Sequence, residues 1–309
     1  MSANTLFNDS TVVLGIETSC DETAAAVVMG GNDVLSSVVA TQIDLHARYG
    51  GVVPEIASRA HVEAMNVVIR QAVSQSGVPI ERIDAVAATV GPGLIGALLV
   101  GVSAAKSVAL VLDKPFIGVN HLEAHLYAAL LDDPHVEFPM LVVLVSGGNT
   151  LFVEMRGHGD FSVIGQTIDD AAGEAFDKVA RFLDLGHPGG PAIDRIALTG
   201  NANAIDFPRA MLHDGLDFSF SGLKTSILYA IRDQVKLNED FIEAHRNDLC
   251  ASIQNSIVSI LMEKIEKAVK ETGIQCVVIA GGVSANSELR KRLNAKIETG
   301  WKVSIPKFS

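Results

Sequence analysis

The feature that most constrains the fold is a pattern of strands and glycine turns that occurs in both halves of the chain. In the first half, apolar runs flank the turn at residues 19–22, and a later apolar run ends in Gly-Pro-Gly before a helix. In the second half, apolar runs flank the turn at residues 146–149, and the run 276–280 leads through Gly-Gly into a helix from Asn286. Strand, glycine turn and helix in succession are typical of α/β proteins, so the sequence predicts a duplicated α/β fold.

The spacing of these units predicts where the two halves differ. The hairpin turns are offset by roughly 130 residues and the glycine-turn units by roughly 190, so the second half should contain an insertion of about 60 residues. The segment 169–234 has a helical pattern and is the natural candidate. We therefore predict a first lobe over residues 10–135 and a second over 136–309, with a helical insertion at about 169–234. The length of 309 residues fits two domains.

Composition narrows the class of protein. The chain has 24 Lys and Arg against 36 Asp and Glu, a net charge of −12 that argues against non-specific nucleic-acid binding. Three cysteines without a paired short spacing predict neither a disulfide framework nor a cysteine zinc site, and they favour a reducing, cytoplasmic location. Residues 1–10 do not resemble a secretory signal. The apolar run 94–112 contains Ser103, Lys106 and Ser107, which favours a buried helix over a membrane span, so we expect no membrane.

A histidine pair follows the predicted strand at residues 116–119. His121 and His125 are separated by four positions, so on a helix they share a face and can bind one metal ion. The motif is not the HExxH of metalloproteases, because Glu123 lies at the third position and points to another face. Two polar residues at the start of a helix are the alternative interpretation.

Two glycine turns are candidates for anion binding. Consecutive backbone N–H groups in Ser-Gly-Gly-Asn at 146–149 can form a concavity for phosphate, although this is also an ordinary hairpin turn. The string AGGVSAN at 280–286 places glycines between a strand and a helix, where a nucleotide can approach closely. Simple helix capping explains the second pattern equally well.

A third candidate is rich in carboxylates. Asp170, Glu174 and Asp177 are three or four positions apart and share one face of a predicted helix. A ligand with hydroxyls or amines would explain these like charges, and so would a solvated face on which Lys178 and Arg181 are their partners.

Taken together, these strings resemble the TsaD family of universal tRNA threonylcarbamoyladenosine transferases, long labelled O-sialoglycoprotein endopeptidases. The resemblance covers nearly the whole chain. It rests on nine strings in order: LGIETSCDET, YGGVVPEIASRAH, GPGL, HLEAHL, LVSGGNT, DDAAGEAFDK, HPGGP, DFSFSGLKT and AGGVSAN.

The resemblance implies an α/β fold of two related lobes of the actin and hexokinase type, the ASKHA fold. It implies transfer of the threonylcarbamoyl group from threonylcarbamoyl-AMP to N6 of adenosine 37 in tRNAs that read codons beginning with A. His121 and His125 would be ligands of one divalent metal ion, iron or zinc. The implied substrate-binding residues are Leu144, Val145, Ser146, Gly147, Gly148, Asp177, Gly190 and Asn286, with Glu174, Gly282 and Ser284 as possible additions.

One expected metal ligand lies outside the sequence. The third ligand of the family is an aspartate that follows a strand like residues 303–306, and the printed chain ends at Ser309. We therefore expect that ligand beyond Ser309. No catalytic residue is identified, because the cysteines lack a histidine partner, Ser146 lacks an evident base, and nothing marks the acceptor of the amine proton.

Three other functions compete with this interpretation. A small-molecule kinase of the same fold would use the same glycine turns for ATP, but its Mg²⁺ would be held by carboxylates, whereas imidazole suits iron or zinc. A catalytically silent scaffold subunit would lack the metal. A metalloprotease is disfavoured because HExxH is missing.

The resemblance also implies partners besides threonylcarbamoyl-AMP and tRNA. In bacteria these would be a degenerate paralogue, TsaB, and a P-loop ATPase, TsaE. The location would be cytoplasmic, or mitochondrial if the source is an organelle.

Overall fold

The computed structural model describes residues 8–133, 136–209 and 215–305. The chain divides into two compact units between Ala124 and His125, whereas the sequence prediction placed the boundary at 135/136. In the described residues, each unit contains one five-stranded mixed sheet.

The first unit is built on a strand meander followed by two parallel strands. Its elements are β1 (Val12–Glu17), β2 (Glu22–Met29), β3 (Asp33–Thr41), α1 (Ile43–Ala47), α2 (Pro54–Ser76), a short 3₁₀ turn (Ile80–Arg82), β4 (Ala85–Gly91), α3 (Ile95–Leu112), β5 (Phe116–Asn120) and α4 (His121–Asp132), in which the division between the units falls.

The first sheet has the strand order β3-β2-β1-β4-β5. β1 pairs antiparallel with β2 and parallel with β4. Alternate residues of β1, namely Val12, Leu14 and Ile16, are buried in a core that also takes in Met65 and Val68 of α2. This period of two is what a strand with one covered face requires.

α3 crosses from β4 to β5 and presents two contrasting faces. Its buried positions are all small, Ala97, Gly101, Ala105 and Ala109, at a spacing of four. Ile95, Leu99, Leu110 and Val111 are between 61% and 84% exposed. By length and hydropathy alone this helix could cross a membrane, but only 22% of it is buried, so the prediction of a buried helix is wrong outside the small-residue stripe.

The second unit repeats the order of elements and adds helices. Its elements are β6 (Met140–Val145), β7 (Thr150–Gly157), β8 (Asp160–Gln166), α5 (Ala172–Phe182), α6 (Gly189–Ala197), α7 (Ser221–Leu237), α8 (Phe241–Thr272), β9 (Cys276–Ala280), a 3₁₀ turn (Gly282–Ala285), α9 (Ser287–Ile297) and β10 (Lys302–Ser304).

The second sheet has the strand order β10-β9-β6-β7-β8. Read from its other edge, as β8-β7-β6-β9-β10, this order matches that of the first sheet, with β6 in the place of β1. The predicted duplication is therefore confirmed. α5, α6 and α7 lie between β8 and α8 and account for the predicted helical insertion at 169–234. The last predicted strand, residues 303–306, is observed as Lys302–Ser304, and Pro306 lies outside the described residues.

The N-terminus of α5 packs directly on the turn between β6 and β7. The N–H of Gly173 donates to the Ser146 carbonyl at 3.2 Å, and the N–H of Ala172 donates to Thr150 Oγ1 at 2.9 Å. A Cβ on Gly173 would lie 2.5 Å from the Ser146 carbonyl oxygen and 2.8 Å from the Gly147 Cα. Since both obstacles are backbone atoms, only glycine fits at this position.

Gly173→Ala is expected to lower the free energy of unfolding by about 1–3 kcal/mol, because the added methyl group must push the turn away. The measurement is chemical denaturation of the purified protein. Gly190→Ala is the matched control: Gly190 is also the second residue of its helix, but its Cβ would meet only the Phe176 Cβ at 3.9 Å. Equal stabilities of the two variants would contradict the close-packing argument.

Candidate functional site

The turn between β6 and β7 is closed by its own hydrogen bonds. The N–H of Ser146 donates to the Asn149 carbonyl at 2.8 Å, and the N–H of Asn149 donates to Ser146 Oγ at 3.0 Å. Gly147 and Gly148 stand at its tip, where a Cβ would meet nothing within 4 Å. The turn therefore presents open backbone next to the N-terminus of α5.

Asp177 of α5 holds the beginning of α6. Its Oδ1 accepts the N–H of Gly189 at 2.7 Å. A Cβ on Gly189 would lie 2.4 Å from the Ala180 Cβ and 2.9 Å from the Asp177 Cα, so the two helices touch at this glycine. An acidic group at a helix N-terminus is electrostatically favourable.

The strand β9 leads into the 3₁₀ turn, and Asn286 caps the helix that follows. Asn286 Oδ1 accepts the N–H of Leu289 at 3.0 Å, and its Nδ2 donates to Gln254 Oε1 at 3.3 Å. Asp194 of α6 accepts the N–H and the hydroxyl of Ser287, the latter at 2.7 Å. These bonds connect α6 to the start of α9.

These three elements surround one cavity of about 600 Å³ in the second unit. Five of the predicted substrate residues line it: Gly147, Asp177, Gly190, Gly282 and Asn286. Other lining side chains were not singled out in the sequence, namely Phe176, Pro188, Pro191, Asp194, Arg195, Leu198 and Val283. The volume and mixed lining suit a small polar ligand with an apolar part.

The remaining predicted substrate residues lie behind or beside the cavity. Leu144 and Val145 are fully buried in β6, and Ser146 and Gly148 belong to the turn itself. Ser284 is buried and donates its hydroxyl to the Gly281 carbonyl.

The carboxylates that precede Asp177 are engaged by lysines. Asp170 accepts from Lys178 at 2.8 Å and from Lys224 at 2.6 Å, and Glu174 pairs with Lys178 at 2.8 Å. Burial alone would raise the pKa of Asp170, but the two lysines outweigh it and lower the pKa. Asp169 accepts the hydroxyl of Ser219. Of the predicted acidic face, only Asp177 lines the cavity. Asp170, just before α5, bonds to Lys224 of α7, and Glu174 pairs within α5.

In the first unit, His121 at the start of α4 meets polar groups of the first strands. Its Nδ1 lies 3.1 Å from Ser19 Oγ and 3.7 Å from Glu17 Oε2. Thr89 of β4 donates to the same Glu17 carboxylate. Histidine ligands of metals are commonly oriented by such bonds on the ring nitrogen that does not face the metal.

The pKa of Glu17 is set by these neighbours. Burial by itself would raise it, but hydrogen bonds from His121, Ser19 and Thr89 lower the pKa to about 2. Glu17 is therefore a permanent anion beside His121. The sequence analysis missed this residue, and its place at the end of β1, before the polar turn, was the available signal.

Cys20 follows Ser19 in the turn. Its backbone carbonyl accepts a hydrogen bond from His61 Nε2 at 3.1 Å, and His61 is itself fully buried. Desolvation and the adjacent Asp21 raise the pKa of the Cys20 thiol to about 12. A thiol that stays protonated is a poor nucleophile, which supports the view that the reaction does not use cysteine.

Comparison with known proteins identifies a family. Residues 33–309 match the family described as TsaD: tRNA N6-adenosine threonylcarbamoyltransferase. A protein of that name from Symbiobacterium thermophilum is 53% identical over 287 residues, which is 93% of this chain and 83% of the relative. One from Clostridium novyi is 51% identical over 295 residues, 95% of this chain and 85% of the relative.

Solved structures share the fold. The crystal structure of T. kodakarensis HypF is similar to this chain, with a TM-score of 0.64 and 14% identity over 96% of this chain and 45% of HypF. The (R)-2-hydroxyglutaryl-CoA dehydratase component A of Acidaminococcus fermentans has a TM-score of 0.53 and 16% identity, with 96% and 91% of the two chains covered. The predicted actin- and hexokinase-like fold class is confirmed by these likenesses.

Glu17→Gln is expected to destabilise the protein by about 1–2 kcal/mol at pH 7, a value reduced for the partial exposure of the carboxylate. The pKa is near 2 in the native state against an ordinary 4.5, so this stabilisation is complete above pH 4.5 and is lost as the pH falls toward 2. Urea unfolding at pH 7 and pH 3 should show that the difference in free energy of unfolding between parent and variant is about half as large at pH 3 as at pH 7. Glu63→Gln, at an exposed position of α2, is the control, and an equal gap at both pH values would contradict the role of Glu17.

Proposed function

The chain belongs to the TsaD family, the tRNA N6-adenosine threonylcarbamoyltransferases, and from this premise we propose how its residues carry out the transfer. Its activity is the transfer of a threonylcarbamoyl group to N6 of an adenosine in tRNA. We assign threonylcarbamoyl-AMP as the donor and adenosine 37, in tRNAs that read codons beginning with A, as the acceptor.

The observation that carries this proposal is the cavity of the second unit. Gly147, Gly190 and Gly282 bring backbone to its surface, and α6 begins there. Of the residues in its first turn, Gly189 already donates its N–H to Asp177 and Pro191 has no N–H, so we assign the N–H of Gly190 to an anion. We place the phosphate of the adenylate at this glycine-rich end. Asp177 and Asn286, held by the bonds described above, bind its sugar or acyl part.

In this proposal the chain's residues mainly bind and orient. The reaction forms a bond between N6 and the carbonyl carbon and breaks the bond from that carbon to the phosphate oxygen. AMP leaves, and the N6 amine releases one proton to solvent. Backbone N–H groups at the glycine turns stabilise the charge that develops on the phosphate. Removal of one such preorganised donor costs about 3–4 kcal/mol of barrier in other enzymes.

We further propose that His121 and His125 bind one divalent metal ion, iron or zinc. They are the first and fifth residues of α4, at the spacing that lets two imidazoles share an ion, and neutral imidazole suits both metals. The contact of His121 Nδ1 with Ser19 Oγ supports this role, because histidine ligands of metals are commonly oriented by a hydrogen bond on one ring nitrogen. When bound, such an ion polarises the carbonyl oxygen of the transferred group.

A third ligand has to come from elsewhere. No group of three or more His, Cys, Asp or Glu side chains suited to a metal occurs among residues 8–133, 136–209 and 215–305.

His121→Ala and His125→Ala are each expected to reduce threonylcarbamoyladenosine formation by at least about 100-fold, because one imidazole cannot replace two. The full-length enzyme is supplied with threonylcarbamoyl-AMP, unmodified tRNA and partner subunits, and the modified adenosine is measured by mass spectrometry. Metal analysis of the same samples reports binding separately from turnover and distinguishes iron from zinc.

The control for this experiment is His245→Ala, at an exposed position of α8. Full turnover in the His121 and His125 variants would refute the metal role. A wild-type enzyme that binds no metal and modifies no tRNA would instead favour the scaffold alternative.

For partners, we propose that TsaB binds the exposed apolar face of α3 and that TsaE joins the same assembly in the cytoplasm. Ile95 and Leu99 are exposed apolar side chains near the start of α3, and Leu110 and Val111 are exposed at its end. Exposed Ser103, Lys106 and Ser107 lie between the two pairs. Surfaces of this kind mark protein interaction sites in soluble proteins. α3 also packs on β1 and β4 of its own sheet, which suits a protein partner better than a bilayer.

Leu99→Glu is expected to weaken TsaB binding by more than about 10-fold, because it places a charge in an apolar interface. The affinity is measured by calorimetry, and circular dichroism verifies the fold. Leu237→Glu is the matched control, since Leu237 is an 82% exposed leucine in a helix of the second unit. Equal affinities of TsaB for the two variants would indicate that TsaB binds another surface.

A further inference from the structure

One charged side chain at the cavity of the second unit has no polar partner among the described residues. Four polar side chains line the cavity: Asp177, Asp194, Arg195 and Asn286. The two aspartates and Asn286 are engaged by Gly189, Ser287, Leu289 and Gln254. Arg195 makes no hydrogen bond or ion pair with any residue that the structure describes. Its five N–H donors are available to a ligand.

Arg195 lies at the opposite end of α6 from the glycines. At the helical rise of 1.5 Å per residue, Gly190 and Arg195 are about 7.5 Å apart along the axis. Both residues line the same cavity, which therefore extends along the helix. A ligand whose phosphate lies at the first turn of α6 can extend its other end toward Arg195.

Three apolar side chains, Pro191, Leu198 and Val283, line the cavity together with the exposed Arg195. Pro191 and Leu198 are four positions before it and three after it, so they share its face of α6. Val283, in the 3₁₀ turn, also lines the cavity. A guanidinium plane with apolar neighbours suits a flat aromatic ring, because arginine stacks on such rings through its planar, weakly hydrated group.

We propose that Arg195 stacks on the purine base of the adenylate and, with Leu198, determines the preference of the site for a nucleotide over a simple phosphate ester. This inference rests on the proposed function, which places the adenylate in the cavity. It assigns the base to the end near Arg195 and the phosphate to the end near Gly190.

The test compares binding of AMP and of ribose 5-phosphate, which lacks the base, to the full-length protein by calorimetry. Arg195→Ala is expected to raise the Kd for AMP about 10-fold and to leave the Kd for ribose 5-phosphate within about twofold. Arg195→Lys keeps the positive charge but lacks the planar guanidinium group. We therefore expect this variant to recover less than half of the lost AMP affinity, measured as log Kd. Arg232→Ala, on an exposed arginine of α7, is the matched control.

In turnover, the KM for threonylcarbamoyl-AMP should rise about 10-fold in Arg195→Ala with kcat within about twofold of the parent. An unchanged Kd for AMP in this variant would overturn the proposal. So would an equal loss for both ligands, which would assign Arg195 to the phosphate or sugar, or full recovery in Arg195→Lys, which would make the contact one of charge alone.

The failure of this inference can be told from failure of the proposed function. A parent enzyme that makes threonylcarbamoyladenosine but binds AMP no more tightly than ribose 5-phosphate overturns the base contact only. A parent enzyme that cannot use threonylcarbamoyl-AMP overturns the proposed function and this inference with it.

Discussion

Contact between backbones at two glycines determines the shape of the second unit's cavity. At Gly173, α5 approaches the turn after β6 so closely that a methyl group would overlap the Ser146 carbonyl. At Gly189, α6 approaches α5 in the same way. The cavity lies where these elements converge with the 3₁₀ turn after β9. Because backbone cannot move aside as a side chain can, the walls are set by the fold itself and need no ligand to form.

The two units use polar residues in different ways. In the first unit, a small polar network orients Nδ1 of His121, which lies close to Ser19 and Glu17. The Glu17 carboxylate in turn accepts hydrogen bonds from Ser19 and Thr89. In the second unit, most polar groups at the cavity hold the ends of helices, and backbone provides much of the surface. The network around His121 suits a metal ion, because it fixes the direction of the imidazole lone pair. The cavity of the second unit suits a ligand bound largely by shape and by amide groups.

Much of the fold was readable from the sequence, because β1 to β4 and β6, β7 and β9 each coincide with an apolar run bounded by turn residues. Helix capping was one of two interpretations of the pattern at 280–286, and Asn286 does cap α9. The roles of single carboxylates were not readable. The sequence predicts Asp170, Glu174 and Asp177 on one helical face, but Asp170 precedes α5 and bonds to Lys224, 54 positions away. Glu174 pairs with Lys178 of its own helix, and Asp177 lines the cavity. Arg195 had no local signal, because an arginine in the last turn of a helix is common on any surface.

The contrast between the two faces of α3 has a thermodynamic consequence. Its small residues let the helix sit close to the sheet, and its large apolar residues remain outside, where they add little to the folding of the isolated chain. A protein that covers them binds only the folded form, so it stabilises the chain by an amount that grows with the logarithm of its own free concentration. If TsaB covers this face as proposed, the melting temperature of the enzyme depends on the free concentration of TsaB in the sample.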